Sequence, residues 1–122
     1  MQRAEGAQAQ TVSAQIVSEV SARNAARTPP GQWASLGFVI GATVDWTDAG
    51  LTPFTPPAPI LGPGFGAQGA EPADLQTRFG ATASTVIASE SRSILSAGPD
   101  RLTSAIDARV EESASRLRIV PR

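Results

Sequence analysis

Ala58-Pro59-Ile60-Leu61-Gly62-Pro63-Gly64-Phe65-Gly66-Ala67-Gln68-Gly69-Ala70 runs from a short apolar segment straight into a glycine-rich turn. A turn of this kind can wrap its backbone N–H groups around an anion, because glycine admits positive φ and lets the main chain approach a ligand closely. The reading is a short apolar strand over residues 58–62 that delivers a candidate phosphate cradle. A second apolar run, Ser84-Thr85-Val86-Ile87-Ala88, is followed by Ser91-Arg92-Ser93, which offers a guanidinium to the same anion from a neighbouring strand end. Taken alone, a glycine-rich loop after a strand is most often a tight turn, and a lone Arg at a strand end is most often a solvated surface charge. It is the pairing of the two that points to a site.

Working outward, residues 8–27 place Val12, Ile16 and Val20 at four-residue intervals, the stripe of an amphipathic helix that Thr28-Pro29-Pro30-Gly31 ends. Leu36-Gly37-Phe38-Val39-Ile40-Gly41-Ala42 is continuously apolar with adjacent β-branched residues, as expected for a strand buried on both faces. Residues 43–59 hold one possible helical turn, Asp45-Trp46-Thr47-Asp48-Ala49-Gly50, and then prolines that forbid a longer helix. Glu71-Pro72-Ala73-Asp74-Leu75 opens a helix with Pro in its first turn and carboxylates at its N-terminus, and Gly80 suits its end. Gly98-Pro99-Asp100 opens a last helix striped by Leu102, Ile106, Val110 and Leu117. The order is one helix and then three strand–helix units, which predicts an α/β chain with parallel strands and functional loops at their C-terminal ends.

Composition narrows the chemistry. The chain of 122 residues contains no Cys, His, Tyr or Lys, so all ten basic residues are Arg. This excludes a thiolate nucleophile, an imidazole base, a Schiff base, the usual zinc and haem ligands, and a Walker-type phosphate loop within the chain. Carboxylates are the remaining acid–base groups, and Asp45 with Asp48 is explained by helix capping. Trp33 and Trp46 flank apolar segments and are expected to pack against loops. A formal net charge of −1 with scattered arginines gives no reason to bind nucleic acid or an anionic membrane. Residues 1–6 lack the apolar core of a secretory signal, and the 36–42 run is too short to span a bilayer, so the expectation is a soluble, cytoplasmic chain.

Gly62-Pro63-Gly64-Phe65-Gly66-Ala67-Gln68-Gly69 followed by Ser91-Arg92-Ser93-Ile94-Leu95 resembles the last two loops of the orotidine 5′-phosphate decarboxylases. Gly37-Phe38-Val39-Ile40-Gly41-Ala42-Thr43 is similar to the strand and loop that precede them, and Ala97-Gly98-Pro99 with a long final helix is typical of the family's actinobacterial branch. The resemblance extends over residues 2–117 and implies a partial (β/α)8 TIM barrel, with residues 1–122 as the carboxy-terminal part of a single barrel domain. The three strands would be the sixth, seventh and eighth, and the barrel's frequent phosphate site lies in the loops after strands seven and eight.

By that resemblance Gln68 would reach the phosphate of a nucleotide monophosphate, orotidine or uridine monophosphate. Backbone N–H groups near Gly69 and Ser91 would cradle it, and Arg92 would supply the charge. The family uses neither metal nor organic cofactor, so none is expected. Its reacting centre is an Asp-x-Lys-x-x-Asp motif, and a chain without Lys cannot contain one, so no catalytic residue is assigned here. Two departures stand out: Asp45 where the family often has Pro, and Glu90, whose carboxylate would oppose a phosphate dianion if it faced the same side as Arg92. The expectation is a chain inactive alone, requiring the family's amino-terminal half or self-association. The alternative is a non-catalytic phosphate-binding or assembly module.

Overall fold

The structure, a computed structural model, describes residues 10–117. Helix α1 (Val12–Ala25) begins at Thr11, whose hydroxyl accepts from the Ala14 N–H at 3.1 Å and donates to the Ala49 carbonyl at 2.6 Å. That cap satisfies one of the orphan donors at a helix start and also fastens the helix to the 43–59 connection. The predicted start at residue 8, like residues 1–6, lies outside the described residues.

Strands β1 (Phe38–Val39), β2 (Ile60–Pro63) and β3 (Val86–Ser89) form one parallel sheet in the order β1-β2-β3, so the glycine-loop strand is central. Although β1 is formally two residues long, Phe38, Ile40 and Ala42 N–H groups donate to the Pro59, Leu61 and Pro63 carbonyls at 2.9, 3.0 and 2.7 Å. This every-second-residue donation is a parallel ladder, and it extends the pairing to the end of the predicted apolar run. Strands two and three start two residues later than the sequence suggests. Proline at 59 lacks a donor, and residues 80–85 form a 3-10 helix, Gly80–Thr85, that delays entry into the sheet.

Phe38, Ile60 and Val86 are aligned across the sheet on one face, with Ile60 fully buried. Helix α2 (Leu75–Phe79), entered through a 3-10 turn Pro72–Asp74, covers this face with Leu75 and Phe79. The Glu71 N–H donates to the Asp74 carboxylate at 3.1 Å in a capping box, and Gly80 ends the helix at positive φ, as the sequence indicates. All four phenylalanines join one aromatic run: Phe38 meets Phe54 at 4.6 Å between ring centroids, Trp46 stacks on Phe54 at 5.5 Å, and Phe79 meets Trp46 at 6.0 Å and Phe65 at 6.4 Å. The run connects β1, the 43–59 connection, α2 and the glycine loop, and each pair adds about 0.5–1.5 kcal/mol beyond its buried area.

The opposite face corrects the sequence reading. Val39, Leu61 and Ile87 are aligned in register and are 67%, 43% and 54% exposed, so the strands are buried on one face only among the described residues. Ile16 on α1, and Ile106 and Val110 on helix α4 (Leu102–Leu117), are likewise exposed rather than core. Hydrophobic periodicity reports that a stripe exists; it does not report whether the surface it would cover is present. The Leu117 side chain lies outside the described residues. Trp33 is 54% exposed and outside the core cluster, whereas Trp46 packs against that cluster and stacks on Phe54 of the 43–59 connection.

Asn24 carries a further tie that its sequence context does not signal. Its buried side-chain amide donates to the Leu36 carbonyl at 2.9 Å and accepts the Leu36 N–H at 3.2 Å, locking the end of α1 to the approach to β1. Asn24→Ala would leave both Leu36 groups unpaired and should lower stability by about 2 kcal/mol. Urea unfolding followed by circular dichroism checks this, and an unchanged midpoint would contradict it.

Candidate anion site at the strand ends

Strands β2 and β3 end side by side at Pro63 and Ser89, which are register partners. The glycine loop leaves the first of these ends. It is shaped by Gly64, Gly66 and Gly69 at φ of 107°, 71° and 95°, and it closes on itself: Gly66 N–H donates to the Ala70 carbonyl at 2.7 Å, Gly69 N–H to Gly66 at 2.9 Å and Ala70 N–H to Gly64 at 3.2 Å. At the second end the sequence suggests a loop, but Ser91 caps a short helix, α3 (Arg92–Leu95), so the period-two alternation of a strand lapses at Arg92.

Between them lies a cleft of about 160 Å3 lined by Pro63, Gly64, Phe65, Ala67, Gln68, Ser89, Ser91 and Arg92. Three of the four residues singled out from the sequence, Gln68, Ser91 and Arg92, are thus brought to one cavity. Gly69 is not among the lining residues, and its N–H is engaged within the loop, so its part is conformational. Arg92 is exposed and has no carboxylate partner among the described residues, which leaves its five donors available. The Gln68 side chain folds over Gly64: a Cβ at Gly64 would lie 3.0 Å from Gln68 Oε1.

Glu90, whose charge would oppose an anion, is turned away. It does not line the cleft. Its side chain is 7% exposed, paired with Arg109 of α4 at 3.1 Å, and it accepts the Ser93 hydroxyl at 2.7 Å. Arg109 also pairs with Glu112 at 2.8 Å and Glu71 at 3.5 Å. The Glu112 hydrogen bond first, and the charges of Glu90 and Glu71 besides, hold this guanidinium above its ordinary pKa against the opposing effect of burial. Of its three carboxylates only Glu112, three residues further along α4, is local in sequence; Glu71 and Glu90 are brought to Arg109 by the fold. Asp45 accepts the Asp48 N–H at 2.9 Å, but residues 46–50 form a turn and not a helix, so the bond closes a turn where the sequence suggests a helix cap.

Among the described residues no group of His, Cys, Asp or Glu is arranged to hold a metal ion, and no helix is long and apolar enough to cross a membrane. A polar hollow beside the end of β1, lined by Thr43, Asp45, Thr47, Thr77 and Arg78, has its Arg already donating to the Ala42 carbonyl at 3.3 Å and facing Asp74 at 3.6 Å.

A parallel α/β sheet with a cleft at the C-terminal ends of adjacent strands defines the class of protein. No family model matches the chain. Comparison with known proteins narrows the class further: it is 42% identical over 100 residues to the orotidine 5′-phosphate decarboxylase of Salinispora tropica, which covers 82% of this chain and 34% of that protein. It is 41% identical over 93 residues to that of Streptomyces coelicolor, 74% of this chain and 31% of that one. A solved structure from Streptomyces avermitilis, assigned to the same enzyme, superposes with a TM-score of 0.80 at 34% identity over 95% of this chain and 40% of its own. The chain belongs to the orotidine 5′-phosphate decarboxylase family, of which it represents a carboxy-terminal portion. It spans about a third of the length of the curated relatives it matches.

Gly66 is where the two loops touch, since a Cβ there would lie 2.5 Å from Ser93 Oγ and 2.9 Å from Glu90 Oε2, whereas one at Gly69 would meet nothing within 4 Å. Both substitutions to Ala incur the positive-φ cost of about 1–2 kcal/mol. Gly66→Ala should therefore destabilise the chain more than Gly69→Ala in urea unfolding, and equal losses would mean that the loops do not abut.

Proposed function

We propose that the chain is the phosphate-gripping part of an orotidine 5′-phosphate decarboxylase, the enzyme that converts orotidine monophosphate to uridine monophosphate and CO2. The observation that carries the reading is the gathering of Gln68, Ser91 and Arg92 in one cleft at the ends of β2 and β3. In this reading β1, β2 and β3 are the sixth, seventh and eighth strands of a (β/α)8 barrel, and residues 1–122 are part of one barrel domain. The first five βα units are supplied by the rest of a longer polypeptide or by a second chain. The open row Val39, Leu61 and Ile87 and the exposed stripes of α1 and α4 are apolar surface that such a partner would cover.

Arg92 supplies charge to the nucleotide phosphate, Gln68 reaches it from the glycine loop, the Ser91 N–H and hydroxyl add donors, and Gly69 keeps the loop closed. None of these touches the bond that breaks. Their contribution is binding energy at a remote, non-reacting group, which is useful where it is realised in the transition state. The chain has no Lys, and the family's reacting centre requires one, so the chemistry belongs to the portion outside this sequence.

Two measurements test the proposal. The isolated chain should show no decarboxylase turnover, and mixing it with a chain bearing the first five βα units should restore it. Thermal-shift titration with uridine monophosphate and inorganic phosphate should show stabilisation that Arg92→Ala weakens by about 2 kcal/mol, roughly thirtyfold in Kd. Turnover by the pure chain would refute the division of labour. Nucleotide binding with no rescue of activity would favour the non-catalytic module.

A further inference from the structure

One guanidinium reaches the bases of both loops that form the cleft. Arg109 Nη1 lies 3.5 Å from Glu71 Oε2, and Glu71 directly follows Ala70, the last residue of the glycine loop. Its Nε lies 3.1 Å from Glu90 Oε2, and Glu90 directly precedes Ser91 and Arg92. Glu90 in turn accepts the Ser93 hydroxyl at 2.7 Å, and Ser93 is the side chain against which Gly66 abuts. The chain of contacts thus runs from α4 through Glu90 and Ser93 back to the middle of the glycine loop.

We infer that Arg109 is a positioning residue that fixes the spacing between the glycine loop and the Arg92 segment, and so the width of the cleft. Its three carboxylates are held in one arrangement: Glu112 fixes the guanidinium on α4 at 2.8 Å, and the other two are the loop bases. A planar guanidinium offers five donors in a rigid fork, so a single Arg can hold two carboxylates at a set separation, which a single-centred ammonium does less well. The same pairing holds the charge of Glu90, 7% exposed, against α4 and out of the cleft. Without Arg109 that carboxylate would be buried without a countercharge and would leave its place, carrying Ser93 with it.

The inference rests on the reading of the cleft as a phosphate site for its functional meaning, while the spacing itself is measurable separately. The chain lacks Cys, so spin labels can be placed at Ala67→Cys and Leu95→Cys, both exposed, and the distance between them read by pulsed electron resonance. The starting chain should give one narrow distribution. Arg109→Met should lose it, Arg109→Lys should retain part of it, and Glu71→Gln, which keeps an oxygen for the helix cap, should broaden it on the glycine-loop side. If Arg109→Met loses its helical circular dichroism, Glu71→Gln and Arg109→Lys decide the question, and narrow distributions unchanged in both overturn the inference.

In the unlabelled chain, Kd for inorganic phosphate should rise about tenfold in Arg109→Met with partial recovery in Arg109→Lys, the scale of one weakened charge-assisted contact. An unchanged Kd in folded Arg109→Met would likewise overturn it. Failure of the starting chain to bind phosphate, with the label distances responding as expected, would sink the proposed function and leave the positioning role standing.

Discussion

The central place of β2 is the constraint on which the rest depends. With Ile60 fully buried between Phe38 and Val86, the register of all three strands is set, because a slip by one residue would exchange the buried row for the exposed one. That register brings Pro63 and Ser89 level at one end of the sheet. The glycine loop and the Arg92 segment then leave from neighbouring points, and a cleft between them follows from topology before any side chain is considered.

Side chains then refine what topology provides. The aromatic run from Phe38 to Phe65 holds Phe65, the second residue beyond the strand, against α2, while Gly66 allows the loop to come within contact of Ser93. Among the described residues Arg92 meets no carboxylate, whereas Arg78 and Arg109 are both engaged by carboxylates. The difference lies in where the acidic groups stand: the nearest in sequence to Arg92, Glu90, is drawn to α4 instead.

Much of this was legible in the residues. Three glycines within six positions announce positive φ, and Gln68, Ser91 and Arg92 could be paired because both apolar runs before them read as strands. The parts that could not be read are those whose cause is distant in sequence. Asn24 looks like any polar residue near a helix end until Leu36 is placed beside it, and Arg109 needs Glu71 and Glu90 brought together by the fold. The four residues of the helix at Arg92 are too few to carry a periodic signal. The stripes of α1 and α4 are plain in the residues, but their burial is not a property of this stretch of chain alone.

The closure of the glycine loop has a thermodynamic corollary. Phe65 is stacked on Phe79 and paired with Ala70 in an isolated parallel bridge, and Gly66 and Ala70 N–H groups are already bonded inside the loop. Any ordering that the proposed anion imposed would therefore be confined to the few residues between those anchors. At about 1–2 kcal/mol of backbone entropy per residue fixed, a loop tied off this closely keeps most of its contact energy as affinity, where an open loop of the same length would lose it to conformational entropy.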